Sequence, residues 1–549
     1  MARRIASRMK ITGSLVACGP LHVGGLDPTA DVDLALAING AGNLYVPGTS
    51  IAGPMRAWLA KPSNVHEIGE AWGFQKLNDD SREPDGAASF IMVEDGRINL
   101  PEGATVETRD GVGIDRVFGG AAEGVKYNRA ILPSGTRISL EISVELGDQS
   151  KTTRSQLGAA LKALQDGKIQ FGAGKTRGLG NVKLTELTIV EQELLTFQGM
   201  LDTLRDKSTS RILNDLEPME FSGPPTIDIE ITWAPRGPLM VKAEADGVAV
   251  DTLPLVSARD NELTFVLPGS SIKGAMRSQA ERIVRTVCGF SAPEIANPRE
   301  GFMNQIEMRK STEGPNPKQA IETRPTLLIN ALFGQRGKQE NKAEKNPDDD
   351  SPLPGLSALR VSDCYAKSRF APKHWEAIET APDTDSDGHM VQGTQSPLRR
   401  ALLDAGLENM QQVFHVAIDR WTGGAADGFL YTVLEPHGVE WEPIRLTLDL
   451  SRLLPRDQGP AIMCLLLTLR DLVNGRMPLG FGVNRGMGAL HVTGVEISTT
   501  GVDGELSGLK DVKIVEGKLG GWCDPLKKTL ELEWNNWIAA SEEASTNES

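Results

Sequence analysis

The sequence predicts an α+β protein built as two tandem copies of one domain. Two observations carry this. The stretch Ile114-Asp115-Arg116-Val117-Phe118-Gly119-Gly120-Ala121-Ala122-Glu123-Gly124-Val125-Lys126-Tyr127-Asn128 returns as Ile418-Asp419-Arg420-Trp421-Thr422-Gly423-Gly424-Ala425-Ala426-Asp427-Gly428-Phe429-Leu430-Tyr431-Thr432. Nine of the fifteen positions are identical, and Glu123/Asp427 keeps its charge. The segments around it also return in order: strand, capped helix, strands, helix, glycine loop, strand.

The first copy opens on residues 10–17, whose alternation reads as a strand running on to Pro20-Leu21-His22. The second opens on a cleaner period-two run, Thr226-Ile227-Asp228-Ile229-Glu230-Ile231-Thr232-Trp233, and reaches Pro238-Leu239-Met240. Between them, residues 201–225 are polar, end in Gly223-Pro224-Pro225 and read as the linker. Next come Pro47-Gly48-Thr49-Ser50-Ile51-Ala52-Gly53-Pro54-Met55-Arg56 and Pro268-Gly269-Ser270-Ser271-Ile272-Lys273-Gly274-Ala275-Met276-Arg277. Pro-Gly makes a turn, and Thr or Ser is expected to cap the helix that follows. The free N–H groups of such a helix start suit a phosphate. An ordinary capped helix accounts for the pattern too, but a basic residue one turn in at both copies, Arg56 and Arg277, favours the anion reading.

Trp72-Gly73-Phe74 then matches Leu332-Phe333-Gly334, and the strand 90–95 matches 359–363. The offset between the copies is 218 at Pro20/Pro238, 268 at Asp95/Asp363 and 304 at Ile114/Ile418. The second copy has therefore gained insertions, seen at 334–354 and 366–396, both polar and both expected to be mobile surface loops. A strand (135–146; 443–450) precedes a helix (155–165; 460–472), and each copy closes on a glycine loop and a last strand (181–189; 489–497). The loops are Gly172-Ala173-Gly174-Lys175-Thr176-Arg177-Gly178-Leu179-Gly180 and Gly480-Phe481-Gly482-Val483-Asn484-Arg485-Gly486-Met487-Gly488. This order fits a ferredoxin-like, RNA-recognition-motif-like sandwich carrying long loops. The domains are expected at 1–200 and 226–500. A C-terminal extension, 501–549, would hold a strand-turn, an apolar helix around Trp534 and Trp537, and a polar tail.

With 40% hydrophobic and 24% charged residues, the composition is that of a globular chain. No run is apolar enough to cross a membrane, and the basic start Met1-Ala2-Arg3-Arg4 leads into no apolar stretch. A cytoplasmic location with no membrane partner is expected. Five scattered cysteines fit reduced thiols. A net charge of −15 counts against a nucleic-acid binder. Asp348-Asp349-Asp350, 383–387 and Glu542-Glu543 carry much of that excess, however, and acidic insertions can mask a basic groove.

The glycine loops are not P-loops. The glycine required five residues before Gly174 is Ile169, and the second copy has no Lys-Thr. Nor is the context that of a dinucleotide site, since a helix precedes and a strand follows. What remains is a tight turn, or a loop whose backbone approaches a partner closely through Gly174, Gly178, Gly482 and Gly486, with Arg177 and Arg485 at matching positions. The repeated Ile-Asp-Arg segment reads as a hairpin, either purely structural or offering backbone, arginine and an aromatic to a nucleic-acid strand. Asp33 and Asp251 share the 218 offset at a loop-to-strand junction. Either could cap a turn; a functional one would hold Mg²⁺ or place the attacking group in phosphodiester cleavage. His22 has Met240 as its counterpart and is not assigned catalysis.

Taken together, these motifs resemble the RAMP superfamily, specifically the repeating backbone subunit of type III CRISPR effector complexes, here in two fused copies as in a type III-D-like system. The resemblance spans roughly 8–190 and 224–498 and rests on the ordered set of motifs. It implies a palm with a thumb hairpin in each copy, packed head-to-tail with other effector subunits along a guide CRISPR RNA. It also implies cleavage of complementary target RNA that depends on Mg²⁺ or another divalent cation. The family's aspartate before the Pro-Gly turn carries over to Asp33 and Asp251, as catalytic and metal-holding residues. The loop is shorter in the first copy, which leaves Asp27 and Asp31 as rivals there. Phosphate contacts are expected from Arg56, Lys273, Arg277, Arg177 and Arg485, with Ser50, Ser271 and the loop glycines alongside. Asp115 and Asp419 are expected to pair with the arginines next to them. The alternatives are a non-catalytic guide-RNA scaffold and a metal-independent guide-processing endoribonuclease.

Overall fold

The computed structural model describes residues 4–25, 32–60, 65–75, 86–115, 120–147, 150–220, 223–289, 324–335, 356–382, 396–515 and 517–546. Each copy is built on an antiparallel sheet in which the opening strand lies between the third strand and the last. In the first copy the order is Ile91–Val93, Arg137–Leu146, Ser7–Ala17, Val182–Glu193; in the second it is Leu359–Val361, Ile444–Asp449, Thr226–Pro235, Leu490–Thr500. With two helices per copy crossing one face, this is the β-α-β-β-α-β arrangement. The opening strands alternate as their sequences do: Ile227, Ile229, Ile231 and Trp233 are buried while the residues between them are not. That face meets the helix Pro455–Val473, whose Ile462, Leu465, Leu466 and Leu469 are all nearly inaccessible.

The repeat extends to fine detail. Both opening strands carry a register shift against the last strand, at Thr12/Ser14 and at Thr232/Trp233. The Ile-Asp-Arg segments form the ends of two hairpins, Glu107–Ile114 with Ala121–Ile131 and Met410–Ile418 with Ala425–Pro436. Both hairpins are irregular at the same place, between Val112/Ile114 and Val416/Ile418.

Three expectations are corrected. The Pro-Gly helices, Gly48–Leu59 and Gly269–Val287, begin after Pro47 and Pro268 with no cap from Thr49 or Ser270. Their first N–H groups donate instead to an aspartate two residues past the neighbouring strand, Gly48 to Asp95 Oδ1 at 2.8 Å and Gly269 to Asp363 Oδ1 at 2.7 Å. A carboxylate thus already occupies the place suggested for a phosphate. The 201–225 segment is no bare connector: Thr209–Arg211 adds an edge strand beside Val182–Glu193, and Leu216 is buried in the first core. Within the second insertion, Pro372–Glu379 is a helix whose Trp375 packs edge-on against Phe265 and near Phe370. Residues 336–355 and 383–395 lie outside the described residues. The C-terminal helix Asp524–Thr546 docks through the stacked Trp534 and Trp537, which close the second core.

Candidate nucleic-acid interface

In each copy an aspartate, a hairpin strand and a glycine loop converge. Asp33 Oδ2 accepts the backbone N–H of Asn128 at 2.9 Å, and Asn128 Oδ1 accepts the N–H of Asp33 at 2.7 Å. Asp251 Oδ2 accepts from both the N–H and the hydroxyl of Thr432, at 2.7 and 2.8 Å. Asn128 and Thr432 are the last residues of the repeated segment, so the two aspartates are held by equivalent positions. Both carboxylates are exposed. The Thr432 N–H, and then its hydroxyl, hold the Asp251 carboxyl below its ordinary range, so it is ionised well into acid. One residue earlier on each hairpin, a tyrosine receives the loop arginine: Arg177 donates to Tyr127 at 3.3 Å, and Arg485 donates to Tyr431. Arg485 also lies over the Phe481 ring, 5.0 Å from its centroid.

The loops take this shape because of their glycines. Gly172 and Gly480 have φ of 71° and 88°, and a Cβ there would lie 2.1 and 2.2 Å from the carbonyls of His22 and Met240. The next residue in each loop donates to that same carbonyl, at 2.8 and 2.7 Å. His22 itself is buried with Nδ1 2.7 Å from the Ala130 carbonyl, a packed histidine. Asp27 and Asp31 lie outside the described residues.

The two loops differ in what they face. The first docks on the second copy. A Cβ on Gly178 would lie 2.0 Å from Asp363 Oδ1, and one on Gly269 would lie 3.0 Å from the Gly178 nitrogen. Arg109, from the first hairpin, crosses the same joint to Asp363 Oδ2 at 2.5 Å and to Ser257 at 3.1 Å. Glu107 beside it receives the Ala258 N–H at 2.8 Å. At the second loop, Gly486 is exposed with nothing within 4 Å of a built Cβ.

Two expected phosphate contacts are corrected. Lys273 is buried, and its ammonium donates to Ser357, to the Leu359 carbonyl at 2.7 Å and across the joint to the Thr176 carbonyl at 3.2 Å. Burial, and then Arg177, Arg277 and Arg452 nearby, push its pKa well down. Arg277 is engaged by Glu281, the Gly334 carbonyl and Asn330. Both side chains are structural, directed inward by a helix whose start is covered. Arg56 is half-buried on the first helix; Ser50 and Ser271 donate their backbone N–H to Pro47 and Pro268 and sit at the helix starts without capping them. Nor does Asp419 pair with Arg420: its carboxylate accepts from Trp421 N–H at 2.9 Å and the Thr422 hydroxyl at 2.8 Å, closing the hairpin tip. Arg116 lies outside the described residues.

The joint also gathers cations that sequence spacing did not single out. Lys175 is depressed by burial and then by Arg452 and Arg360 of the second copy; Arg129 is depressed by burial and then by Arg177. Arg360 reaches Gln170 of the first copy at 3.1 Å. The Nε of Arg129 is buried without a partner among the described residues. Besides Lys273, five basic side chains from two copies, Lys175, Arg177, Arg129, Arg360 and Arg452, thus lie around one glycine loop, with Arg452 paired to Asp449 at 3.1 Å, in a chain of net charge −15. Like charges held together repel, and a polyanion relieves that repulsion. No spacing rule brings Arg129, Arg360 and Arg452 together, because they come from different copies or strands.

The RAMP superfamily model matches residues 14–183 and 254–491, most of both copies. The chain belongs to the RAMP superfamily. A search of curated proteins finds no match. Membership makes this RAMP protein a CRISPR-associated RNA-binding subunit, with two fused RAMP regions on one chain. No helix among the described residues is long and apolar enough to cross a membrane.

Proposed function

We propose that this RAMP protein binds guide RNA along the joint between its copies and cleaves complementary target RNA at two places, as the fused backbone subunit of a type III-D-like effector. The cationic cluster around the first glycine loop carries the RNA-binding part. Each phosphate contact on a single strand contributes a salt-dependence slope of roughly 0.7. Replacing Arg177 or Arg360 by alanine is therefore expected to lower the slope of affinity against salt by about that amount each, measured by fluorescence anisotropy with a labelled single-stranded RNA. An unchanged slope in both variants would reject the site.

The paired aspartates support the cleavage part. Each is fixed by a hairpin strand at the point where the loop arginine also arrives, so a strand bent over the hairpin would meet a carboxylate and a guanidinium together. The described residues hold no cluster of three His, Cys, Asp or Glu able to form a closed metal cage. A single carboxylate fits instead the mode in which Mg²⁺ keeps its waters and is shared with a substrate phosphate. Asp33 or Asp251 would hold such an ion, which would supply charge neutralisation at the scissile phosphate. Thr432 and Asn128 keep the carboxylates aimed, and the low pKa of Asp251 keeps it charged. Asp33→Ala and Asp251→Ala, tested separately in the assembled complex on an end-labelled target, should each remove one cut and leave the other. Loss of neither cut would place the chemistry elsewhere. One rival is a non-catalytic RNA scaffold, and no cuts by wild type in Mg²⁺ would select it.

A further inference from the structure

The helix Phe197–Leu204 follows the last strand of the first copy, and none of its eight residues is buried. Its own sequence makes it a helix. Thr196 caps it by accepting the Gly199 N–H at 3.0 Å, and Gln198 donates to both carboxylate oxygens of Asp202 one turn on, at 3.0 Å each. Gly199 decides how it sits. A Cβ there would lie 2.5 Å from the Glu193 carbonyl, so the helix backbone rests on the end of the strand Val182–Glu193. The Thr203 hydroxyl, one turn further on the same side, is shut off from solvent. At about 100° per residue, Phe197, Met200, Leu201 and Leu204 fall on one stripe, roughly 130° round from Gly199 and Thr203. The glycine that seats the helix therefore turns its apolar stripe away from the protein. Phe197 is 73% exposed, Met200 44% and Leu204 83%; Leu195, at the position before the cap that packs toward Met200, is 52% exposed.

At ~200 Å² for a full side chain, those exposed fractions amount to roughly 500 Å² of apolar surface, the extent that interaction sites show. We infer that this face pairs with the same face of a second copy of this chain, the two helices lying antiparallel about a two-fold axis. Two such faces bury roughly 1,000 Å² in all, the low end for a specific contact and the range of a reversible dimer. The spacing i, i+3, i+4, i+7 gives a seam of ridges that fits its own copy. The charges fit as well: an antiparallel pair brings the exposed Glu193, before the helix, to the exposed Arg205 and Lys207 that flank Asp206 after it. A membrane surface fits less well, because the polar side offers Gln198 and Asp202 and the helix holds no lysine or arginine. The second copy repeats no such face. After its last strand, residues 504–511 bury Leu509, and a Cβ on Gly508 would lie 3.7 Å from Leu526 of the C-terminal helix. One face per chain closes the assembly at two. The glycine loop precedes the twelve-residue strand Val182–Glu193 and this helix follows it, which sets them ~40 Å apart. The pairing is thus separate from the joint between the copies, and it does not rest on the RNA-binding reading.

Sedimentation velocity of the full-length protein, stripped of RNA, from about 1 to about 200 µM tests the pairing. Wild type is expected to pass from monomer to dimer over that range. Phe197→Glu with Leu204→Glu changes side chains that already stand mostly in solvent, so the thermal midpoint should hold while association falls at least about tenfold. Glu193→Lys alone is expected to weaken the dimer about fivefold, and Glu193→Lys with Lys207→Glu to restore it, because those ends meet across the axis. A wild type that stays monomeric throughout would overturn the inference. So would a dimer that survives Phe197→Glu with Leu204→Glu, or association that runs past two chains. Failure of the double charge variant to recover would overturn the antiparallel pairing. Flotation of monomeric wild type, but not of Phe197→Glu with Leu204→Glu, on phosphatidylcholine–phosphatidylserine vesicles would replace the second copy with a lipid surface.

Discussion

Replacing Asp363 by alanine is expected to destabilise the second copy by about 3–5 kcal/mol, the cost of leaving a buried charge without its partner. Asp363 has two tasks. Its Oδ1 caps the helix at Gly269, and its Oδ2 meets the Arg109 guanidinium at 2.5 Å, where Arg109 is only 9% exposed. Burial alone would lower the Arg109 pKa, but Asp363, Tyr365 and Glu107 together raise it above its ordinary value, so the charge persists inside the joint. Asp95 is the internal control. It caps Gly48 in the same way at 2.8 Å but is exposed, so Asp95→Ala should cost about 1 kcal/mol, the value of a cap. Denaturant unfolding of the full chain reads both. Arg109→Met combined with Asp363→Ala should cost less than Asp363→Ala alone, because the stranded cation is then gone. Equal costs for Asp363→Ala and Asp95→Ala would mean that the joint does not depend on this pair.

The contrast between those two aspartates marks where the sequence was legible. Everything that repeats could be read: the strands alternate, the glycine loops match, and Asp33 and Asp251 share an offset. The order of elements therefore gave the sandwich and the hairpins. What could not be read was what one copy does to the other. Lys273 and Arg277 look like solvent-facing helix cations one turn from a glycine-rich start. They are inward because the second helix start is covered by the first glycine loop, a contact between residues about ninety apart in sequence that no local pattern encodes. Arg109 gives no signal either, since its counterpart is Val413 and duplication was the signal in use. The expected caps Thr49 and Ser270 failed for a related reason: an aspartate arriving from the turn after a distant strand is a stronger acceptor for the first N–H than a hydroxyl. The 366–396 segment reads as a loop because it is polar on average, while the short helix Pro372–Glu379 with one tryptophan suffices to fold part of it onto Phe265.

Gly178 and Gly486 offer a second, sharper separation of fold from joint. Both are left-handed, with φ of 95° and 89°, so alanine at either adds a similar backbone strain of about 1 kcal/mol. Only Gly178 meets a neighbour: a Cβ there would lie 2.0 Å from Asp363 Oδ1 and 3.0 Å from the Asp363 nitrogen, while at Gly486 the space is open. The Asp363 carboxylate cannot yield by rotating, because Arg109 and the Gly269 N–H hold its two oxygens, so the backbones must part. Gly178→Ala is therefore expected to cost about 2–3 kcal/mol more than Gly486→Ala, the scale of overpacking a tight contact, and to make the joint sensitive to limited proteolysis. Similar losses for the two variants would mean that the joint relaxes around a methyl group. Gly486→Ala should cost the chain only the strain of its left-handed backbone, about 1 kcal/mol, because a methyl group there meets open space.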